Sequence, residues 1–270
     1  MAVEGWPAEL SLATCQAHNT VPISLALAGY LTEQLGLPVD FRDGEWQHMF
    51  QEITAGRIAI GWICGRPYTR LIDEARAPIH LLAAPVMAGA RYGGRPIYFS
   101  DVVVRSDSRF QQFDSLRGAS WAYNEPGSQS GYHVTRHYLA QRGESGQFFG
   151  RVVASGAHLL SLAMVLDGSV DASAIDSTVL EWETERDPTL ADRLRIIEVL
   201  GPSPIPPLVI TAALPDGVVA VIRDLLLNLH TSPSGRAILA LGGLARFAAV
   251  TDSDYDVIRR MSVETQGIEL

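Results

Sequence analysis

The chain has 270 residues, 47% of them hydrophobic, and sets 21 basic against 30 acidic residues for a formal net charge of −9. That length suits one large domain or two modest α/β lobes, and the acidic balance argues against non-specific nucleic-acid binding, which needs a basic field. Every basic residue is Arg. Without a single Lys, a Schiff-base enzyme, a pyridoxal-phosphate enzyme and a Walker-A phosphate loop are all excluded.

The two cysteines, Cys15 and Cys64, form neither C-x-x-C nor a zinc pattern, and their spacing leaves a disulfide between them open. No apolar run approaches the ~18 residues of a membrane span. Leu12-Ala13-Thr14-Cys15 faintly echoes a lipoprotein cleavage box, but Glu4 and Glu9 precede it, with no basic segment and no apolar segment. The expectation is a chain without membrane insertion and without an export signal of its own.

In chain order, residues 9–15 read as a strand, and Asn19-Thr20 as a helix cap with Pro22 in the first turn. Ile23, Leu27, Leu31 and Leu35 repeat every four residues until Gly36. A short strand at 39–41 follows. Trp46, Met49, Phe50 and Ile53 then mark a helix closed by Gly56, and Ile58–Cys64 is a continuous apolar run expected as a buried strand. Strand and helix alternate here as in a parallel sheet.

The same grammar returns later. Residues 119–123 read as a strand, 130–141 as a helix, 150–154 as a strand, Leu159–Leu166 as a helix stopped by Gly168, and Val170–Ile175 as a strand. Residues 53–60 and 165–172 share a helix–Gly–strand pattern, read as corresponding pieces of two similar lobes. Gly- and Pro-rich crossings near 89–97 and 199–207 separate them. Helices near 216–229, 233–242 and 253–263 complete the chain. The expected division is therefore 1–90 plus 206–270 as a discontinuous first lobe and 91–205 as the second. A ligand would lie near the carboxyl ends of the strands.

The most informative stretch is Trp121 to Tyr132, where a strand ends at Asn124, a Pro-Gly turn follows, and Ser128 and Ser130 sit at a helix start. Free N–H groups and serine hydroxyls there make an oxyanion cradle; an ordinary Ser cap is the plain alternative. Gly127-Ser128-Gln129-Ser130-Gly131 misses a hydrolase elbow by one position, so Ser130 is not read as a nucleophile. His158 stands at another strand-to-helix junction and has the chemistry to donate to an anion. His133 and His137 share a helix face but lack the Glu and the third ligand of a zinc site, so no metal is assigned. Trp46, Tyr68 and Tyr98 are candidate pocket aromatics, with core packing an equal reading for Trp46. Asp176 reads first as a helix cap.

Several of these segments together resemble a known family. Tyr98–Asp107, Phe113–Gly118, Asn124–Tyr132, Ser155–His158, Asp171–Ser177 and Ser203–Pro206, with Gly61–Tyr68 upstream, resemble the phosphate/phosphite/phosphonate-binding proteins of ABC importers, the PhnD-like type. The resemblance covers most of residues 40–210. It implies an α/β fold of the two-lobed, type II periplasmic-binding-protein kind, with two parallel-type sheets and a cleft between the lobes. It also implies a non-enzymatic solute-binding protein for a small anionic ligand, with no cofactor, an ABC permease as partner and a monomeric state. Ser128, Gln129, Ser130 and His158 fall where the family holds phosphoryl oxygens, and Trp46, Tyr68 and Tyr98 near its pocket aromatics.

Three positions depart from the family pattern. Thr135 replaces a proline, Pro207 an acidic residue that meets a ligand amine, and Gln129 a small hydroxyl residue. Asp176 or Glu181 is then a substitute for the missing acid. An importer component implies a periplasmic or extracellular location once a leader is removed; the sequence taken as complete implies a cytoplasmic one. The competing reading is a cytoplasmic lyase on the same fold, acting on a small carboxylate such as chorismate, with His158 or Asp176 moving a proton.

Overall fold

The computed structural model describes residues 5–270. The first four residues, which the expected first lobe includes, lie outside the described residues. The chain divides into two compact units, Met1–Ile97 with Pro204–Tyr255, and Tyr98–Ser203 with Asp256–Leu270.

The first unit begins with β1 (Leu10–Thr14), α1 (Val21–Leu35), β2 (Val39–Arg42), α2 (Trp46–Thr54), β3 (Ile60–Trp62), α3 (Gly65–Asp73) and β4 (Ile79–Met87). Both early helices stop where a glycine takes the left-handed conformation that other residues resist, Gly36 at φ 66° and Gly56 at φ 71°. The expected strand at Ile58–Cys64 is trimmed to Ile60–Trp62 for two local reasons. The Ile58 N–H turns back to the Glu52 carbonyl, and Cys64 already serves as the residue before α3. The Thr20 side chain does not cap α1; its hydroxyl is engaged with Thr14 Oγ1 at 2.9 Å and the Ala17 carbonyl at 3.0 Å. α2 lies so close on β3 that a Cβ at Gly61 would sit 2.7 Å from Ile53 Cδ1, so the sheet needs glycine there.

The second unit opens with β5 (Ile97–Arg105) and β6 (Ser120–Tyr123). A π turn (Gln129–His133) then leads directly into α4 (Val134–Gln141). After it come β7 (Arg151–Ala154), α5 (His158–Leu166), β8 (Ala172–Asp176), α6 (Ser177–Arg186), α7 (Leu190–Arg193) and β9 (Leu194–Pro204). The chain returns to the first unit with β10 (Leu208–Thr211), α8 (Asp216–Leu227), α9 (Pro233–Ala240) and β11 (Leu244–Ala248), and ends in α10 (Asp256–Glu264).

The sheets have the orders β11-β4-β10-β3-β1-β2 and β7-β6-β8-β5-β9. In the first, β1 pairs in parallel with both β2 and β3; in the second, β6 pairs in parallel with both β7 and β8. Each unit thus repeats one strand–helix arrangement, and Gly56 before β3 has its counterpart in Gly168 (φ 80°) before β8. Each sheet also takes antiparallel members: β10 beside β3 and β4, β11 beside β4, and β5 beside β8.

The last fifteen residues correct one expectation. Asp256–Leu270 belong to the second unit, not to the first lobe as 206–270 would have it. Arg136 of α4 donates through its guanidinium to the Thr265 carbonyl at 2.7 Å and to the Ile268 carbonyl. A Cβ on Gly146 would collide with the Glu269 carbonyl oxygen at 1.6 Å, so this tail lies flat against the second unit.

Within the second unit an aromatic core sits beneath β6. Trp121 stacks on Phe149 with ring centroids 4.4 Å apart, and Phe113 meets Phe148 at 5.3 Å and Tyr138 at 4.7 Å. Phe113 is 1% exposed. Replacing it by Ala should cost about 3–5 kcal/mol of unfolding free energy, because four ring neighbours lose contact around a cavity. Urea unfolding of Phe113→Ala checks this, and a loss below about 1 kcal/mol would contradict the packing.

Candidate functional site

At the end of β6 the chain turns through Asn124–Gly127 and enters the π turn at Gln129. Ser128 is the cap: its Oγ accepts the Gly131 N–H at 3.1 Å, and its carbonyl accepts the His133 N–H at 3.0 Å. That long-step hydrogen bond makes this first turn π instead of α. The expected single helix at 130–141 therefore begins with a widened turn. Its first N–H groups, at Gln129 and Ser130, have no intrahelical acceptor by geometry.

Ser128, Ser130 and His158 are 5%, 3% and 6% exposed. Ser130 Oγ lies 3.0 Å from His158 Nε2 at the start of α5, and 3.5 Å from Asp176 Oδ2 at the end of β8. Three strand ends of one sheet, β6, β7 and β8, thus deliver these three side chains to one place. Asp176 divides its labour: Oδ1 caps α6 through the Thr178 N–H at 2.8 Å, while Oδ2 faces Ser130. The expected cap is present, and the other oxygen of the same carboxylate lies beside Ser130.

Gly131 is required by this crowding. A Cβ there would stand 1.9 Å from Asn124 Oδ1 and 3.3 Å from His158 Cε1. Asn124 Oδ1 and His158 Nδ1 are both buried without a hydrogen-bond partner.

Burial governs the electrostatics. It pushes the His158 imidazole down to about 4, so the ring is neutral at neutral pH. It pushes the Asp176 carboxyl up to about 6, and Glu125, in the turn before the cradle, up to about 7. A neutral imidazole carries one hydrogen. A buried N–H without an acceptor is rarer than a bare acceptor, so the hydrogen belongs on Nε2, where Ser130 Oγ accepts it, and Nδ1 keeps its lone pair. Ser130 then has its own O–H to give, held only loosely by Asp176 at 3.5 Å. The result is a directed chain, His158 to Ser130 to an outside acceptor.

This is not a nucleophile-activating triad. There the acid would hold Nδ1 behind the imidazole and the ring would take the serine proton. Here Nδ1 has no partner and the acid lies beside the serine.

The remaining expected residues are distributed over both units. Tyr98 is buried in β5 of the second unit, at 1% exposure. Trp46 and Tyr68 belong to the first. Trp46 starts α2, half-buried and tilted over Phe50 at 6.4 Å. Tyr68 is buried, donates its hydroxyl to Asp252 Oδ1 at 2.7 Å, and packs edge-on to Tyr255 at 5.0 Å. Gln129 is fully buried with its amide on Ser203 and Met261. The Asn-Glu-Pro-Gly turn brings Asn124 against Gly131, and no motif marks Asn124 or Glu125 in the sequence. His133 meets Arg136 and His137 meets Glu264. Among the described residues no group of three His, Cys, Asp or Glu side chains is placed to hold a metal ion, and no helix is long and apolar enough to cross a membrane.

Asp176 gives a pH test. Its folded value near 6 lies above the ordinary carboxyl value, so the folded protein holds this proton more tightly than the unfolded chain. Ionising it in place therefore costs stability progressively from about pH 4 to pH 6, and the cost stays constant above. Asp176→Asn keeps the cap and removes the charge. Its stability relative to wild type should improve on the order of 2–3 kcal/mol between pH 4 and pH 7.5 in urea unfolding. An offset independent of pH would contradict the buried carboxyl.

The family described as ABC transporter, phosphonate, periplasmic substrate-binding protein matches residues 16–255. The phosphonates-binding periplasmic protein of Escherichia coli (strain K12) is 25% identical over 250 residues, covering 88% of this chain and 71% of that protein. Among solved structures, a binding component of an ABC phosphonate transporter from Pseudomonas aeruginosa superimposes with a TM-score of 0.82 at 20% identity, over 96% of this chain and 86% of its own. PhnD1 from Prochlorococcus marinus, solved with methylphosphonate, gives 0.81 at 17% identity over 97% and 100%. These establish the type II periplasmic-binding-protein fold. The relatives are binding components of transporters, not enzymes, and the lyase alternative finds no support among them. The chain belongs to the family of periplasmic phosphonate-type substrate-binding proteins of ABC transporters.

Proposed function

We propose that the protein binds a small phosphonate-like oxyanion through the Ser128–Ser130 cradle. The observation that carries this reading is the buried Ser130 hydroxyl. Its Oγ lies 3.0 Å from Nε2 of the buried His158, and with the imidazole hydrogen on Nε2 the serine keeps an O–H that only a long contact to Asp176 holds. Ser128 Oγ, the first-turn N–H groups and the Ser130 hydroxyl are dipoles aimed without a full positive charge. Inside a dry site such dipoles hold an oxyanion well.

Asp176 sets the terms of recognition. Its Oδ2 is an acceptor when ionised, so a ligand that brings its own hydrogen, as a P–OH or an ammonium group, pairs with it favourably. A fully ionised anion without such a hydrogen requires Asp176 to take up a proton, which its value near 6 makes accessible. Tyr98, whose strand β5 pairs with β8 close to Asp176, is proposed to contact the non-phosphoryl part of the ligand. An ABC permease is the proposed partner and the periplasm the proposed location, in keeping with the family. The working form is proposed to be a monomer.

The test is a ligand panel on refolded, ligand-stripped protein: phosphate, phosphite, methylphosphonate, 2-aminoethylphosphonate, sulfate, chorismate and simple carboxylates. A true ligand at about 100 times its Kd adds roughly 2.7 kcal/mol and raises Tm by several degrees. The expected result is a selective rise with phosphorus oxyanions, without turnover, that disappears in Ser128→Ala/Ser130→Ala while that variant stays folded. A rise only with carboxylates, or an unchanged response in the double variant, would overturn the reading.

A further inference from the structure

We propose that Gln129 is a positioning residue and that α10, through Met261, fixes the geometry of the cradle. This rests on the cradle reading above and assigns new roles within it. Gln129 stands between Ser128 and Ser130, where the sequence suggests a ligand contact. Its amide has no hydrogen left to give an oxyanion. Nε2 lies 3.1 Å from Met261 Sδ and 3.3 Å from Ser203 Oγ, so both amide hydrogens are used. A thioether only accepts, which fixes the amide with its nitrogen toward Met261. What remains is Oε1, a buried acceptor without a partner, and an oxyanion finds no hydrogen there.

The amide is instead a peg. Gln129 is 0% exposed, Met261 5% and Ser203 4%, so the contact lies in dry surroundings, where a polar group left unmade is costly. α10 is itself held against α4. Arg136 of α4 donates to the Thr265 and Ile268 carbonyls, while Thr265 Oγ1 folds back on the Met261 carbonyl at 2.8 Å within the C-terminal segment. His137 meets Glu264 at 2.8 Å, and the Leu270 N–H reaches the Tyr132 hydroxyl at 3.5 Å. The C-terminal segment therefore grips the helix that carries the cradle at its start and along its face. Binding groups need placement to about half an ångström, held by neighbours that are themselves locked. Met261 and Gln129 supply that lock one residue from each serine.

The decisive comparison uses Met261→Leu and the double variant Gln129→Leu/Met261→Leu. Calorimetry with inorganic phosphate and with methylphosphonate reads affinity, and thermal unfolding reads stability. Met261→Leu keeps the volume and strips the amide of one of its two acceptors; affinity should fall on the order of fivefold. The double variant has no orphaned amide, so its Tm should recover toward wild type while its affinity stays low. A merely structural contact would make affinity follow Tm, with both recovering together, and that result would overturn the proposal. So would an unchanged affinity in Met261→Leu. Ser128→Ala/Ser130→Ala separates the two levels of failure. If that variant loses binding and Met261→Leu does not, only the positioning role falls. If wild type binds neither probe, the cradle reading falls and takes this one with it.

Discussion

The hydrogen bond between His158 Nε2 and Ser130 Oγ, made out of contact with water, is the interaction on which the site depends. Burial holds the imidazole neutral, and neutrality limits it to one hydrogen. The unpartnered Nδ1 decides where that hydrogen goes. Each step follows from the one before, and the outcome is a serine whose proton is held only by a long contact to Asp176 and can turn to a better acceptor. A charged imidazolium would bind any anion strongly and with little regard to shape; a neutral donor chain binds through direction.

The fold places these groups by simple means. Three neighbouring strands, β6, β7 and β8, end on the same side, and each is followed within a few residues by a turn or helix start. The aromatic cluster of Phe113, Trp121, Phe148 and Phe149 fixes β6 from below, so the turn that leaves it begins from a rigid base. Gly131 lets the π turn approach Asn124 more closely than any other residue would allow. The last helix then holds that turn from its other side, through Met261. Packing, one glycine and one amide peg thus convert a common Ser-capped helix start into a defined constellation.

How much of this is legible in the sequence depends on how local its cause is. The helix stops at Gly36, Gly56 and Gly168 are readable because a positive φ falls to glycine at each. Ser128 and Asp176 are readable as caps because capping uses neighbours two or three residues away. The antiparallel members β4, β5, β10 and β11 are not announced by the strand–helix alternation, since their direction comes from pairings remote in sequence. The placement of Asp256–Leu270 is hidden for the same reason: Arg136 and Gly146 receive the tail from more than a hundred residues away. Gln129 is the sharpest case. Its neighbours suggest a ligand contact, and only Met261, 132 residues on, shows where its hydrogens go.

The most direct measurement is the nitrogen-15 NMR spectrum of the His158 ring, with and without methylphosphonate. At pH 7 the ring should be neutral with its hydrogen on Nε2, and methylphosphonate should shift that nitrogen through Ser130. A ring protonated on both nitrogens at pH 7, or one carrying its hydrogen on Nδ1, would contradict the donor chain from which the account is built.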